Sequence, residues 1–351
     1  MGVLAFAEVR SGLLNDPSIY PQNLNVPRGQ FLFLRLPRSA LEAASFLDDR
    51  ILTPDAEGRW IGFSEIEPIL RGAHFSRPLH FIFHASHVGS TLISRLLDEL
   101  GGVLGLREPL PLRVLAEVFD ELGAPHALLS EPEALALLDW CCLLWRRGYP
   151  DTTAVVVKAT SSTSRLSPHL LRALPSARAV FVNVKAEPYL ATLLAGQNSH
   201  IDLRGHGPER HKRLARMGAP PPTPLCAMTL GELAALTWLA ETLTQQRVQR
   251  EHEPRVLPVD FDVFLTGPAA ALREICTHFA LRVSDEALAS ISQSPALSRY
   301  SKAPERPYTP ALRREILADS RARNAEEIRR GLLWLEQAAR QAPIVSDALS
   351  A

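Results

Sequence analysis

Two rhythms of apolar and polar positions alternate along this chain. Short β-branched and aromatic runs read as strands: Phe31 to Leu34, Trp60 to Phe63, Phe81 to Phe83, Thr153 to Lys158, Ala177 to Val184 and Arg255 to Asp260. Between them, apolar residues recur every three or four positions, which is helical spacing. Leu92, Leu96 and Leu100 form one such stripe, and Leu135, Leu138 and Cys142 a second; Leu233, Leu236, Ala240 and Leu243 form a third, and Ile328, Leu332 and Leu335 a fourth on a long C-terminal helix. Pro37 and Ser39 mark the start of a helix reaching Leu47, and Glu131-Pro132-Glu133 opens another. Gly101-Gly102 stops the helix after Phe83, and Val103 to Pro109 follows as a short extended piece.

Strand alternating with helix predicts an α/β fold of three layers (αβα) with a mostly parallel central sheet. Its strands fall near residues 79 to 84, 153 to 158, 178 to 184 and 255 to 260, with helices on both faces. Residues 1 to 75 read as an N-terminal lead-in unit packed on that core, and residues 76 to 351 as the α/β domain.

Charge narrows the choice of partner. Lys plus Arg equals Asp plus Glu at 38 each, so no global field favours nucleic acid or an anionic membrane, and any anion site must be local. No window approaches the ~18 apolar residues of a membrane span. Cys141, Cys142, Cys226 and Cys276 lack metal-ligand spacing, and the adjacent pair is a poor start for a disulfide framework. Together with an N-terminus that has no basic segment before a long apolar run, this predicts a cytoplasmic protein. The oligomeric state is not legible.

Chemistry concentrates in Leu79 to Leu97, which reads as strand, turn and helix. A glycine followed by two hydroxyl residues at a helix start leaves backbone N–H groups aimed outward at the positive end of the helix dipole, a cradle for phosphate or sulfate. Ser86, His87, Val88, Gly89, Ser90 and Thr91 make up that candidate loop. The nucleotide-triphosphatase form needs G-x-x-x-x-G-K-[ST], and here His84 stands for the first glycine and Ser90 for the lysine. The reading is therefore a phosphate loop that is not an ATPase loop, the plainer alternative being a glycine turn between any strand and helix. Lys158 ends a buried strand where open α/β sheets place ligands, with Thr160, Ser161 and Ser162 beyond it. Residues 196 to 228 are the least regular; Arg204, His206, Arg210, His211, Lys212, Arg213 and Arg216 precede Pro220-Pro221-Pro222, which predicts a flexible basic flap around 200 to 225.

His87-Val88-Gly89-Ser90-Thr91 resembles the 5′-phosphosulfate loop of the sulfotransferases, whose usual form is basic-Ser-Gly-Thr-Thr; His87 replaces the lysine or arginine and Val88 the serine. About 170 residues on, Arg255 to Phe264 followed by Gly267 to Leu281 is similar to the family's strand apolar-x-Tyr-Glu-Asp-Leu and its next helix. The resemblance implies a P-loop-type fold and 3′-phosphoadenosine 5′-phosphosulfate as co-substrate. It also implies a small-molecule or peptide acceptor with a hydroxyl or amine, and no metal. It implies that the Val88 to Thr91 amides hold the 5′-phosphate, that His87 and Lys158 neutralise charge on the leaving oxygen, and that Glu108 is the base. Read from the residues alone, Glu108 is a solvated loop carboxylate paired with Arg107 or Arg113.

The family's Arg-Asp-Pro, followed two helical turns on by a serine, holds the 3′-phosphate. Lys185-Ala186-Glu187-Pro188 matches it in part, with Ala186 and Leu194 where the arginine and serine belong, so Lys185 and Thr192 are the nearest substitutes. Tyr300, Ser301 and Lys302 resemble in chemistry the family's basic C-terminal loop. A P-loop small-molecule kinase and a non-catalytic nucleotide-binding or interaction protein of the same fold are the alternatives.

Overall fold

The computed structural model describes residues 2–196, 199–301, 305 and 307–350. Nine strands, β1 (Gly2–Val3), β2 (Ile19–Asn25), β3 (Gln30–Arg35), β4 (Glu57–Gly62), β5 (Leu79–His84), β6 (Val103–Arg107), β7 (Ala154–Lys158), β8 (Ala179–Asn183) and β9 (Val256–Asp260), occur among the described residues. They form a four-stranded sheet in the order β1-β4-β3-β2 and a five-stranded parallel sheet in the order β6-β7-β5-β8-β9. The α/β architecture with a parallel central sheet is thus the one the alternating pattern predicts. Contacts group the chain into two compact units, one of Met1–Phe83, Thr91–Ala179 and Leu272–Ile291, the other of His84–Ser90, Val180–Ala271 and Ser292–Ala351.

In the first unit β7 pairs in parallel with β5, Leu79 opposite Val155, and with β6, Val103 opposite Ala154. Val155, Val156 and Val157 are buried, as a strand covered on both faces requires. Leu92, Ile93, Leu96 and Leu97 of the helix Ser90–Glu99 are buried as well. β2, β3 and β4 pair antiparallel around the buried Phe31 and Phe33, whose rings lie 5.7 Å apart.

Several elements differ from the sequence expectation. The short extended piece after the first helix is a strand, Val103 to Arg107, at the edge of the five-stranded sheet. Ile19–Asn25 went unread because Pro21, Asn23 and Asn25 disfavour strands; it lies at a sheet edge with a register shift between Pro21 and Asn23, where proline is tolerated. The helix expected to reach Leu47 closes at Ala43. Leu138 and Cys142 of the inferred stripe are buried, together with Ala134, Leu137 and Cys141, while Leu135 is 38% exposed, so the buried face of that helix is broader than the one inferred and excludes Leu135. The long C-terminal helix is three: Pro310–Arg323, Ala325–Gln341 and Pro343–Ser350.

One buried group of the first unit carries a pH dependence. His80 is 3% exposed, stacks on Phe279 at 4.8 Å, and accepts the Arg178 backbone N–H on Nδ1 at 3.2 Å. Burial first, and then the nearby Arg178 and His278, pull its pKa from 6.5 down to about 4. Because the folded value is the lower one, the unfolded chain binds a proton that the native state refuses between pH about 4 and about 6.5. The His80 contribution is complete above that window, declines as pH falls through it, and totals about 3 kcal/mol. Urea unfolding at pH 7 and pH 4 should therefore show wild type losing about 3 kcal/mol more than His80→Asn, which keeps an acceptor for Arg178 and does not titrate. Equal losses would refute the assignment.

In the second unit the helices Leu230–His252 and Ala325–Gln341 cross at glycines. A Cβ on Gly231 would lie 1.8 Å from the Glu327 carbonyl oxygen, and one on Gly331 would lie 2.5 Å from the Gly231 oxygen. The basic segment expected to be irregular contains two helices, Ser199–Gly205 and Gly207–Arg216. Leu203, Arg210, Arg213 and Leu214 are among its buried positions, so arginines stand in the apolar stripe and hide the helical period. Arg213 pairs with Glu241 at 2.6 Å and with Glu209, and Arg210 pairs with Asp202 at 3.2 Å. Arg204, Lys212 and Arg216 remain exposed. Among the described residues no helix is long and apolar enough to cross a membrane.

Candidate functional site

The loop His84–Ser90 belongs to the second unit and is built from unusual backbone. Ser86, His87 and Gly89 all adopt left-handed conformations, with φ of 77°, 52° and 72°. For Ser86 and His87 this is costly, of the order of 1 kcal/mol each, and it is sustained only by what surrounds them. His84 Nδ1 accepts the Ser86 N–H at 3.1 Å, Ala85 N–H donates to Val182 at 3.1 Å, and the Tyr189 hydroxyl donates to the Ala85 carbonyl. Tyr189 is fully buried, which holds its hydroxyl proton well above the usual phenol range.

Gly89 is fixed by a close approach as well as by its φ. A Cβ there would lie 2.0 Å from two carbons of the Phe261 ring. That ring follows β9, where the Asp260 carboxylate accepts the N–H groups of Asp262 and Val263 at 2.7 and 3.1 Å and so turns the chain. Asp262 pairs with Arg313 at 2.6 Å, and the Arg313 guanidinium lies 5.7 Å from the Phe261 ring centre. Sequence reasoning missed Phe261 as a partner of the loop, although it lies in the second stretch of family resemblance.

The first unit holds a second group of candidate residues. Lys158 ends β7 and Glu108 follows β6, with Arg107 opposite Lys158 in the ladder and the Glu108 N–H donating to the Lys158 carbonyl at 2.7 Å. Lys158 Nζ donates to Glu108 Oε1 in an ion pair whose side chains are 0% and 7% exposed. Glu108 is left-handed, with φ 55°. The picture of a solvated Glu108 paired with Arg107 or Arg113 is corrected here. Arg107 is itself buried, pairs with Asp98, and donates to the carbonyls of Ala44 and Glu42, while Arg113 lies 3.7 Å from Asp48. Burial raises the Asp98 carboxyl above its usual range, against the pull of Arg107. Two hydroxyls of this unit, Thr91 Oγ1 and Ser162 Oγ, are buried with no hydrogen-bond partner among the described residues.

The remaining sequence candidates are more scattered. Lys185 is exposed at the start of the helix Ala186–Ala195. The Thr192 hydroxyl donates to the Pro188 carbonyl at 2.7 Å, and Glu187 pairs with Arg321 at 2.7 Å. Tyr300 packs its ring 5.6 Å from that of Tyr308, beside an Arg299–Pro307 bridge, and Ser301 is half-buried in the following turn. Lys302 lies outside the described residues.

No protein-family model matches this chain, and no curated protein matches it in sequence. Among solved structures it is similar to sulfotransferases. A sulfotransferase from Mycobacterium avium matches at 14% identity and TM-score 0.40, over 74% of this chain and 80% of that one. A mouse sulfotransferase complexed with PAP matches at 11% identity and TM-score 0.39, over 82% and 95%. One from Alicyclobacillus acidocaldarius matches at 14% identity and TM-score 0.36, over 72% and 96%. Likenesses at this level carry no argument about activity or ligand.

Proposed function

We propose that this protein transfers a sulfuryl group from 3′-phosphoadenosine 5′-phosphosulfate to a hydroxyl or amine acceptor. The observation that carries the reading is the buried Glu108–Lys158 ion pair at the C-terminal ends of two adjacent parallel strands, the edge at which such sheets bind ligands. Supporting it is the left-handed loop at Gly89, whose sequence matches the family's phosphosulfate loop in its glycine and following hydroxyls. The residues fit the 5′ end of the donor. Thr91 Oγ1 is a buried hydroxyl with no hydrogen-bond partner among the described residues, and the loop's left-handed residues give its amides the curvature of an anion nest.

Ser86, His87 and the amides of Val88, Gly89, Ser90 and Thr91 would hold the donor's 5′-phosphate. Lys185, Thr192, Tyr300, Ser301 and Lys302 would serve the 3′-phosphate. When bound, the donor supplies an activated sulfuryl group. The chain's own part is electrostatic and positional: His87 and Lys158 offset negative charge, and Glu108, oriented by Lys158, accepts the acceptor's proton.

Ligand-linked stability tests the reading. Adenosine 3′,5′-bisphosphate at about one hundred times its Kd should stabilise the protein by roughly 2.7 kcal/mol, seen as a raised melting temperature, while ATP with magnesium should leave it unchanged. A response to ATP alone would transfer the chain to the kinase class, and no response to either would overturn nucleotide binding.

A further inference from the structure

The first unit contains a cavity of about 390 Å³, remote from Glu108, where the end of β2 meets the helix Leu110–Asp120. Its size is within the ~300–1,000 Å³ of small-molecule sites. Leu24, Val26, Val118 and Leu128 supply apolar wall, and Leu128 is 69% exposed. Two carboxylates line it, Glu117 and Glu121, and among the described lining residues there is no lysine or arginine. Glu121 is also the C-terminal cap of the helix, where unpaired carbonyls and the negative end of the dipole favour a cation. Its one basic neighbour in the lining, His126, lies 2.6 Å from it at the exposed rim.

An apolar wall beside two carboxylates and a helix C-terminus is complementary to a cation carried on a hydrocarbon. We infer that this cavity binds a small primary amine on an alkyl or aryl body, its ammonium meeting Glu117 and Glu121 and its body packing on Leu24, Val26, Val118 and Leu128. The site is separate from the Glu108–Lys158 pair. Glu108 precedes the first turn of the eleven-residue helix and Glu121 follows its last, which sets them about 16 Å apart along its axis. The inference therefore stands without the sulfuryl-transfer reading.

Calorimetric titration of the full chain with phenylpropylamine, phenylpropanol and phenylpropanoate tests it, at low ionic strength because exposed charges are screened by salt. The amine should bind at least tenfold more tightly than the alcohol, and the carboxylate more weakly than either. In Glu117→Lys/Glu121→Lys, a change confined to the surface of the helix, the order should reverse in favour of the carboxylate. Absence of amine binding, equal binding of the three probes, or an order left unchanged by the charge reversal would each overturn the site.

Discussion

Lys158→Met is expected to destabilise the protein by about 3–5 kcal/mol, the usual cost of leaving one member of a buried ion pair without its partner. The Glu108 side chain is 7% exposed, so water cannot replace the lost ammonium without local opening. Lys158→Met/Glu108→Leu should recover most of the loss, since a buried pair replaced by apolar groups of similar volume is close to neutral. Denaturant unfolding of the two variants measures this directly, and a double variant no more stable than Lys158→Met would show that the pair is not an energetic unit. Glu108→Gln tests the chemistry at the same place. It keeps an acceptor for Lys158 but leaves the buried ammonium without its counter-charge, so stability should fall as it does in Lys158→Met, while the folded protein keeps the bisphosphate response and loses roughly 10²–10⁴-fold in turnover if Glu108 is the base. Undiminished turnover would remove it from that role.

Gly89→Ala should cost about 4 kcal/mol, more than one methyl group normally does. Alanine pays for a left-handed backbone, and its Cβ would overlap the Phe261 ring at 2.0 Å, which forces ring or loop to move. Gly89→Ala/Phe261→Leu separates the two terms: relieving the overlap should restore part of the stability, and the φ penalty of about 1 kcal/mol should remain. If removal of the ring gives no recovery, the contact is not what fixes the loop.

Much of the fold could be read from the chain because its central strands are the simplest kind to recognise. Val155, Val156 and Val157 are buried on both faces, and the flanking helices repeat leucine at four-residue intervals. Edges were harder. β2 carries Pro21 and two asparagines, and β6 contains Gly105 and ends in an arginine, because edge strands do not need uniform β-formers. The site was legible residue by residue and not as an arrangement. Glu108 and Lys158 are 50 positions apart, and nothing local indicates that one neutralises the other. The basic segment misled for a related reason: Arg210 and Arg213 count as surface residues in a sequence but are internal here, and their carboxylates come in part from a different helix, as Glu241 shows.

The crossing of Leu230–His252 with Ala325–Gln341 has a consequence for how the chain is made. Gly231 and Gly331 allow the two backbones into contact, so the earlier helix cannot bury that face until residue 331 has left the ribosome. At ordinary elongation rates of ~5–20 residues per second the intervening hundred residues take about 5 to 20 seconds. During that interval the nascent helix presents its unburied face to water or a chaperone. The loop at Gly89, supported by Phe261 and Arg313, acquires its working shape only after residue 313 has been made.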